Sequence, residues 1–520
     1  MNQPEIKSRT ASSIRNMAVS VIAQIVKLLL LFATRVVFLH TIGRAYLGVN
    51  GLFTNVLTLL SLPELGFGMA IIFYMYKPVS EGDKEKIKSL LKLYRKLYFY
   101  IALVILLLGS ILVPFINWFV NMPDGADVNL YVVYCMFLAN TVIGYLAAYK
   151  RAIIEANQDL YITNLVRALF QSLMSGAQIL IILVWGNYYF YLSIMICATI
   201  AENISVAVLA NKMYPYIKEP AQELDKDEKK NIFRNTSYIF VNKISNAVLI
   251  GSSSIIINFF FGVEMVGVFD NYSFVYTAVA TFVGFLFTSI SASVGNLMVN
   301  ADKTVLYDRY RKITFIFNML NAFTSVCLFV LLTPFVYVWA GQENILGIST
   351  VVAMVVSYYL NNNRNYIRVY KNAGGLFRQG MFIYLIEALL NIGLSIAFAY
   401  FFGIIGVLLG IIISYLVSCF IMEPVIVFKQ VFGINPVHYY VNVLLNFGFI
   451  VLTSIGIYFL VSLIPDGGVI DFIIKTVICV VCAAVVCILI SMISPYRKFV
   501  IGSFGIIKRA FSRKKGGNNG

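Results

Sequence analysis

Few ionisable side chains interrupt the long apolar stretches of this sequence, and their spacing decides what chemistry the chain could do. Asn16, Ser20, Gln24, Lys27 and Thr34 recur at intervals of four, four, three and seven, which is one face of a helix. Arg35 flanks that face. By helical rise, Lys27 lies about 15 Å in from Met17, near the middle of a bilayer. A second stretch carries Lys243 beside Asn235, Asn242 and Asn246, and a third carries Arg364 and Arg368 one turn apart after Asn361-Asn362-Asn363. A charge inside an apolar span is costly unless it faces a cavity or a partner. The chemistry open to such cations is electrostatic: Arg offers forked hydrogen bonds to a phosphate and Lys a point charge. We read Lys27, Arg35, Lys243 and Arg364, with the amides of Gln24 and Asn242, as the lining of a cationic cavity suited to an anionic head group such as a diphosphate. The competing reading pairs these cations with Glu64, Glu202, Glu387 or Glu423, or lets them reach the membrane surface. Arg44 and Arg368 fit that snorkelling reading as well as the cavity, and Arg167 and Lys475 read as anchors.

Acids within the spans offer a different chemistry, the relay of protons or the binding of sodium. Glu64 follows Pro63, where a kink could free backbone groups. Glu387 and Asn391 stand one turn apart. These three are candidates for coupling or gating, and equally for structural hydrogen bonds between helices. Covalent catalysis finds no support. The chain lacks a GxxxxGK[ST] phosphate loop. His40 and His438 are far apart, and the CxxC of Cys479 and Cys482 falls inside an apolar run, so neither a metal site nor a redox motif is expected. Asp124 and Asp127 belong to a short turn around Pro123-Asp124-Gly125. The expectation is no catalytic residue, no metal and no cofactor, with a Na+ or H+ gradient as the candidate energy source.

Composition names the solvent around these residues. The chain is 60% hydrophobic and 12% charged, with mean hydropathy +0.83. A soluble domain is nearer a quarter charged, so lipid must surround this one. Apolar runs of helical length, without alternation, favour helices over a barrel. Spans are predicted near residues 17–40, 46–76, 96–120, 129–149, 161–185, 189–211, 235–260, 266–296, 313–340, 346–369, 380–402, 405–428, 441–463 and 470–493. The first is full length and charged, and reads as a retained span rather than a cleaved leader.

Charge tests that count. With both termini in the cytoplasm, Arg44 alone of the 40 basic residues falls in an outer loop. Lys27, Arg35, Lys243 and Lys475 fall within spans, and all the others face inward, as the positive-inside rule requires. The net charge of +16 is thus a property of topology, and nucleic acid is not an expected partner. No Cys falls in an outer loop, so no disulfide framework is expected.

The order of motifs repeats. Arg15-Asn16 and Arg234-Asn235, Gly43-x4-Gly48 and Gly262-x4-Gly267, and Lys84 and Lys303 all share an offset of 219 residues, and Tyr94-Arg95-Lys96 and Tyr310-Arg311-Lys312 follow at 216. Two six-helix units entering from the same side would be parallel repeats about an axis along the membrane normal. This divides the chain into a cytoplasmic N-terminus at 1–16, a first lobe at 17–211, a cytoplasmic linker at 212–234, a second lobe at 235–428, two extra helices within 429–493 and a basic cytoplasmic tail at 494–520.

The stretch Ile386-Glu387-Ala388, Asn391-Ile392-Gly393-Leu394-Ser395, Phe402-Gly403-Ile404-Ile405-Gly406-Val407, then Gly410, Ser414 and Glu423-Pro424 resembles the C-terminal half of the polysaccharide transporter proteins, the Wzx-like flippases. Arg35, Gly43-Arg44-Ala45-Tyr46-Leu47-Gly48 and Leu65-Gly66 carry the resemblance at the other end. It implies the fold of the multidrug/oligosaccharidyl-lipid/polysaccharide exporter superfamily: all-α, integral to the membrane, about fourteen helices in two parallel six-helix MATE-like lobes plus two C-terminal helices. It further implies a flippase in the bacterial inner membrane. Such a protein carries undecaprenyl-diphosphate oligosaccharide to the outer leaflet by alternating access, beside other polysaccharide-assembly membrane proteins. The rival cargoes on the same fold are lipid II and, for an antiporter, drugs or cations; a cationic cavity repels the latter. A membrane polysaccharide polymerase is the rival from another class, and short outer loops argue against it.

Overall fold

The computed structural model describes residues 25–61, 74–120, 122, 128–157, 159–300, 302–465 and 468–497. Within these ranges the side chains at 160, 231, 233–247, 249–250, 285–286, 288–293, 296, 299–300, 377–378 and 381 are outside the description. Every regular element among the described residues is helical. Among the described residues nine helices are long and apolar enough to cross a membrane, or ten if the pair Leu130–Leu146 and Ala148–Ala156, bent by 42°, is one span. The predicted count of fourteen is not tested by that measure, since parts of the spans expected at 17–40 and 46–76 lie outside the described residues. The helix Ile348–Ala373 is absent from the nine because Asn361 to Arg364, Arg368 and Lys371 interrupt its apolar run.

Three predicted boundaries change. The spans expected at 235–260 and 266–296 form one helical run, Lys226–Asn300, broken at Gly262. The span expected at 129–149 is bent at Ala147, between Leu130–Leu146 and Ala148–Ala156. The one expected at 405–428 breaks at Ser418 between Ile404–Val417 and Cys419–Val427, then ends in a π turn, Phe428–Phe432.

The chain forms two compact units, residues 1–270 and 271–520. That division falls further along than the 212–234 linker, and helix packing in the first unit shows why. Gly43 (φ 109°, ψ 168°) and Gly262 (φ 80°, ψ 168°) share one backbone conformation, which residues with a Cβ avoid. They occupy equivalent places in the 219-residue repeat. Five residues on, Gly48 and Gly267 meet. A Cβ on Gly48 would run into the Val263 carbonyl, and one on Gly267 into the Arg44 carbonyl. Small residues let two membrane helices approach this closely. Asn55 donates to Ser254 Oγ at 2.8 Å, and Leu59 packs over Gly251. Residues 251–270 are thereby fastened to the helix Arg44–Leu60.

The second unit uses the same device. Helices Phe377–Phe402 and Ile404–Val417 form a hairpin around Gly403 (φ 71°). A Cβ on Gly406 would strike the Phe398 backbone, and one on Gly410 would strike Ser395. Ser395 Oγ donates to the Val407 carbonyl at 3.1 Å across the crossing.

Candidate functional site

In the second unit, helix Ile348–Ala373 presents Arg364, Arg368 and Lys371 on one face at spacings of four and three. Phe377–Phe402 adds Tyr384 and Glu387, and the segment after the Ser418 break adds Cys419 and Glu423. Arg364 grips Glu387 with both terminal nitrogens, Nη1 to Oε1 at 2.7 Å and Nη2 to Oε2. The Cys419 thiol donates to Glu387 at 3.0 Å. Glu423 accepts from Lys371 Nζ at 3.0 Å and from the Tyr384 hydroxyl, and lies 3.5 Å from Arg368 Nε. The Tyr384 ring sits 4.8 Å from the Arg368 guanidinium centre and 4.2 Å from Lys371 Nζ. A Cβ on Gly380 would run into Lys371 Nζ, so glycine makes the room for it. Glu387 and Glu423 are each 1% exposed, Lys371 2% and Arg364 6%.

Arg364 therefore has its carboxylate within the chain. Of the two readings open for it in the sequence, the geometry has the pairing with Glu387 and not an open cation, because a charge removed from water at this depth needs a bonded counter-charge. Glu387 bridges two helices and Asn391, one turn on, is buried. Three cations face two carboxylates, so the cluster holds one positive charge in excess among its described members.

The first unit is built differently. Arg35, half-buried on the helix over residues 25–41, interacts electrostatically with Asp270 and Tyr191. The Asp270 carboxylate occupies the space over Gly51, where a Cβ would collide with it. Gly51 and Asp270 are equivalent positions in the repeat. Around them, Tyr188 donates to Asn50 Oδ1 at 2.6 Å. Phe38 and Tyr191 lie 4.9 Å apart and Tyr46 and Tyr188 5.1 Å apart. Asp270 escaped the sequence reading although it is an acid inside a predicted span; its equivalence to Gly51 is the signal that marks it.

Lys27 is half-buried and interacts with Arg167 and Glu202, and Glu202 pairs with Arg151 at 2.6 Å. Thr34, on the same face, donates to Leu30 O at 2.8 Å and Ser175 O at 3.4 Å. The described part of that polar face, Lys27 and Thr34, thus lies toward helix Leu160–Trp185; Asn16, Ser20 and Gln24 lie outside the described residues. Lys475, expected as an anchor, is buried at 4% exposure. Gln24 and Glu64 lie outside the described residues, as do the side chains of Asn242 and Lys243. Among the described residues no three His, Cys, Asp or Glu side chains group to hold a metal.

Residues 13–294 match the family model of polysaccharide biosynthesis proteins. The chain belongs to that family. No curated protein sequence matches it. The solved structures it resembles include the lipid II flippase MurJ in an inward closed conformation, at 14% identity and a TM-score of 0.66, covering 94% of this chain and all of that one. A variant of the Vibrio cholerae MATE transporter VcmN matches at 14% identity and a TM-score of 0.57, covering 82% of this chain and 99% of that one. An inward-facing MATE multidrug transporter of the MOP superfamily matches at 15% and 0.55, covering 78% and 96%. The polysaccharide biosynthesis protein described here is a multi-pass membrane protein with the MurJ and MATE transporter fold.

Proposed function

We propose that this family member is a flippase that moves undecaprenyl-diphosphate-linked oligosaccharide from the cytoplasmic to the outer leaflet of a bacterial inner membrane, with both termini cytoplasmic. The observation that carries the reading is the pair of half-buried cations on the opening helix, Lys27 and Arg35, in a transporter fold whose family serves polysaccharide synthesis. The diphosphate would be held by these two and by Lys243, while the polyprenyl chain stays in lipid. No bond is made or broken. The fold exposes the site to one leaflet and then the other, driven by the substrate gradient or by Na+ or H+. Glu387 and Asn391, candidates for coupling or gating in the sequence, would on this reading serve as a fixed helix contact about which the movement occurs.

Lipid II is the second reading, supported by the 94% coverage with MurJ. Deleting the gene and isolating lipid-linked intermediates separates the readings. Completed repeat units accumulating on the inner leaflet support the first, accumulating lipid II supports the second, and a repeat unit short of one sugar overturns both in favour of a transferase. Lys27→Ala and Lys243→Ala are expected to abolish transport at normal protein level.

A further inference from the structure

Helix Lys84–Leu112 carries its cations at the wrong end for its own stability. The N-terminus of a helix bears partial positive charge and disfavours Lys and Arg, yet Lys84, Lys86, Lys88, Lys92, Arg95 and Lys96 all fall in its first half. Part of the explanation is the segment Glu219–Lys229, which lies along this end. Lys88 pairs with Glu219 at 3.0 Å and with Glu85 at 2.6 Å, Lys86 pairs with Glu228, and Lys92 donates to the Ala221 carbonyl at 3.0 Å. The supply of carboxylates then stops. Arg95 and Lys96 make no ion pair among the described residues. Glu223 is taken by Lys229 at 2.9 Å, which holds its carboxyl below the ordinary range, with Lys92 and Lys96 adding to the effect.

Where the carboxylates stop, a groove of about 730 Å³ opens. Lys92, Arg95, Lys96 and Lys229 line it together with Phe99 and Tyr100, and Leu146 closes its apolar side. The cationic, aromatic and aliphatic parts form one exposed helical stripe: Lys92, Arg95 and Lys96, then Phe99 and Tyr100, then Leu103, Leu107 and Ile111, at spacings of three and four. Tyr100 is 51% exposed, Leu107 56% and Ile111 62%. Aromatic rings between a basic end and bare aliphatic surface mark the level of lipid head groups. From Arg95 to Leu107 the helix rises about 18 Å, enough to cross one leaflet of a core about 30 Å thick.

We propose that this groove is a binding site for an anionic glycerophospholipid of the adjoining leaflet. Its phosphate is held by Arg95 and Lys96 with Lys92, and its chains lie along Phe99, Leu103 and Leu107. Four cations against one carboxylate call for an anion, and the aliphatic stripe calls for an acyl chain; a free phosphate satisfies only the first. The site belongs wholly to the first unit and does not depend on what the protein transports. By bridging the helix and the segment Glu219–Lys229, the lipid would fasten that segment to the membrane surface.

Native mass spectrometry of the full-length protein tests this after release from nanodiscs of phosphatidylethanolamine with or without phosphatidylglycerol. The wild type is expected to retain phosphatidylglycerol in preference to phosphatidylethanolamine. The variant Lys92→Gln/Arg95→Gln/Lys96→Gln, at three exposed positions, is expected to bind it on the order of a hundredfold more weakly, from about 1 kcal/mol per basic residue. The charge-preserving Lys92→Arg/Lys96→Arg variant should keep it, and Arg95→Gln alone should show an intermediate loss if the triple variant is unstable. Equal retention by wild type and the glutamine variants overturns the proposal. So does a groove that takes up added polyprenyl diphosphate and no phosphatidylglycerol.

Discussion

The charged clusters of the two units are made from the same side-chain types and solve the cost of burial in opposite ways. Around Glu387 and Glu423, Arg364 and Lys371 each have two hydrogen-bonded partners and Arg368 lies beside Glu423 and over the Tyr384 ring, on elements that include a glycine-packed hairpin, with exposures of 1–6% for Arg364, Lys371 and the two acids. Around Arg35 and Lys27 the cations are half-buried, and the acids that reach them are Asp270 and Glu202. A deeply buried, hydrogen-bonded ion cluster fixes helices against each other; half-buried cations stay within reach of water and of an incoming anion. The comparison teaches that intramembrane charge alone does not mark a binding site. What separates the two is how much of the charge the chain itself has already answered.

The comparison breaks most visibly at Glu423. Glu423→Ala leaves Lys371, Arg368 and Arg364 facing Glu387 alone, and loss of one partner from a buried pair costs roughly 3–5 kcal/mol. Protein level in the membrane and melting temperature in detergent should both collapse; a variant that folds normally would show that the second cluster is not structural. Next in size is Arg35→Gln, where transport is expected to fall sharply while the melting temperature changes far less than for Glu423→Ala. Equal destabilisation by the two would erase the distinction between the clusters. Gly51→Ala places a methyl group where the Asp270 carboxylate sits. Overpacking of this kind costs typically about 1–3 kcal/mol, and combining it with Asp270→Ala, which removes the colliding group, should recover part of the loss.

The smallest effect belongs outside the membrane. Glu223, whose carboxyl is held below its ordinary value of 4.5 by Lys229 and further by Lys92 and Lys96 of helix Lys84–Leu112, contributes through those two helix cations to docking of its segment above that pH. The contribution is lost as pH falls through the lowered folded value. Hydrogen exchange of residues 219–229 should therefore stay constant from neutrality down to about the ordinary glutamate value, and rise only in stronger acid. A rise already at pH 6 would assign the docking to another group.

Much of the fold can be read in the sequence because lipid imposes long apolar runs on it. The hairpin break at Gly43 and its counterpart at Gly262 are visible as matched glycines, and both take a conformation closed to other residues. The break at Ser418 is not visible, because the run from Ile404 to Phe428 stays apolar through it. The site is legible in kind and not in pairing. Arg364 and Glu387 can each be recognised as costly in a span, but their bond joins different helices, so no local spacing announces it. Asp270 is visible as an acid inside the span predicted at 266–296; what the sequence does not show is that its carboxylate takes the room Gly51 leaves, because that needs the two helices to cross.

That crossing has a consequence for descent. Gly48 and Gly267 are counterparts in the duplicated sequence, and they touch. In an ancestor assembled from two identical polypeptides, one glycine would have faced its own copy. A single substitution there would have struck both sides of the seam at once. In a single chain a substitution at either position strikes one side of the seam only, so counterparts can differ, as Gly51 and Asp270 do.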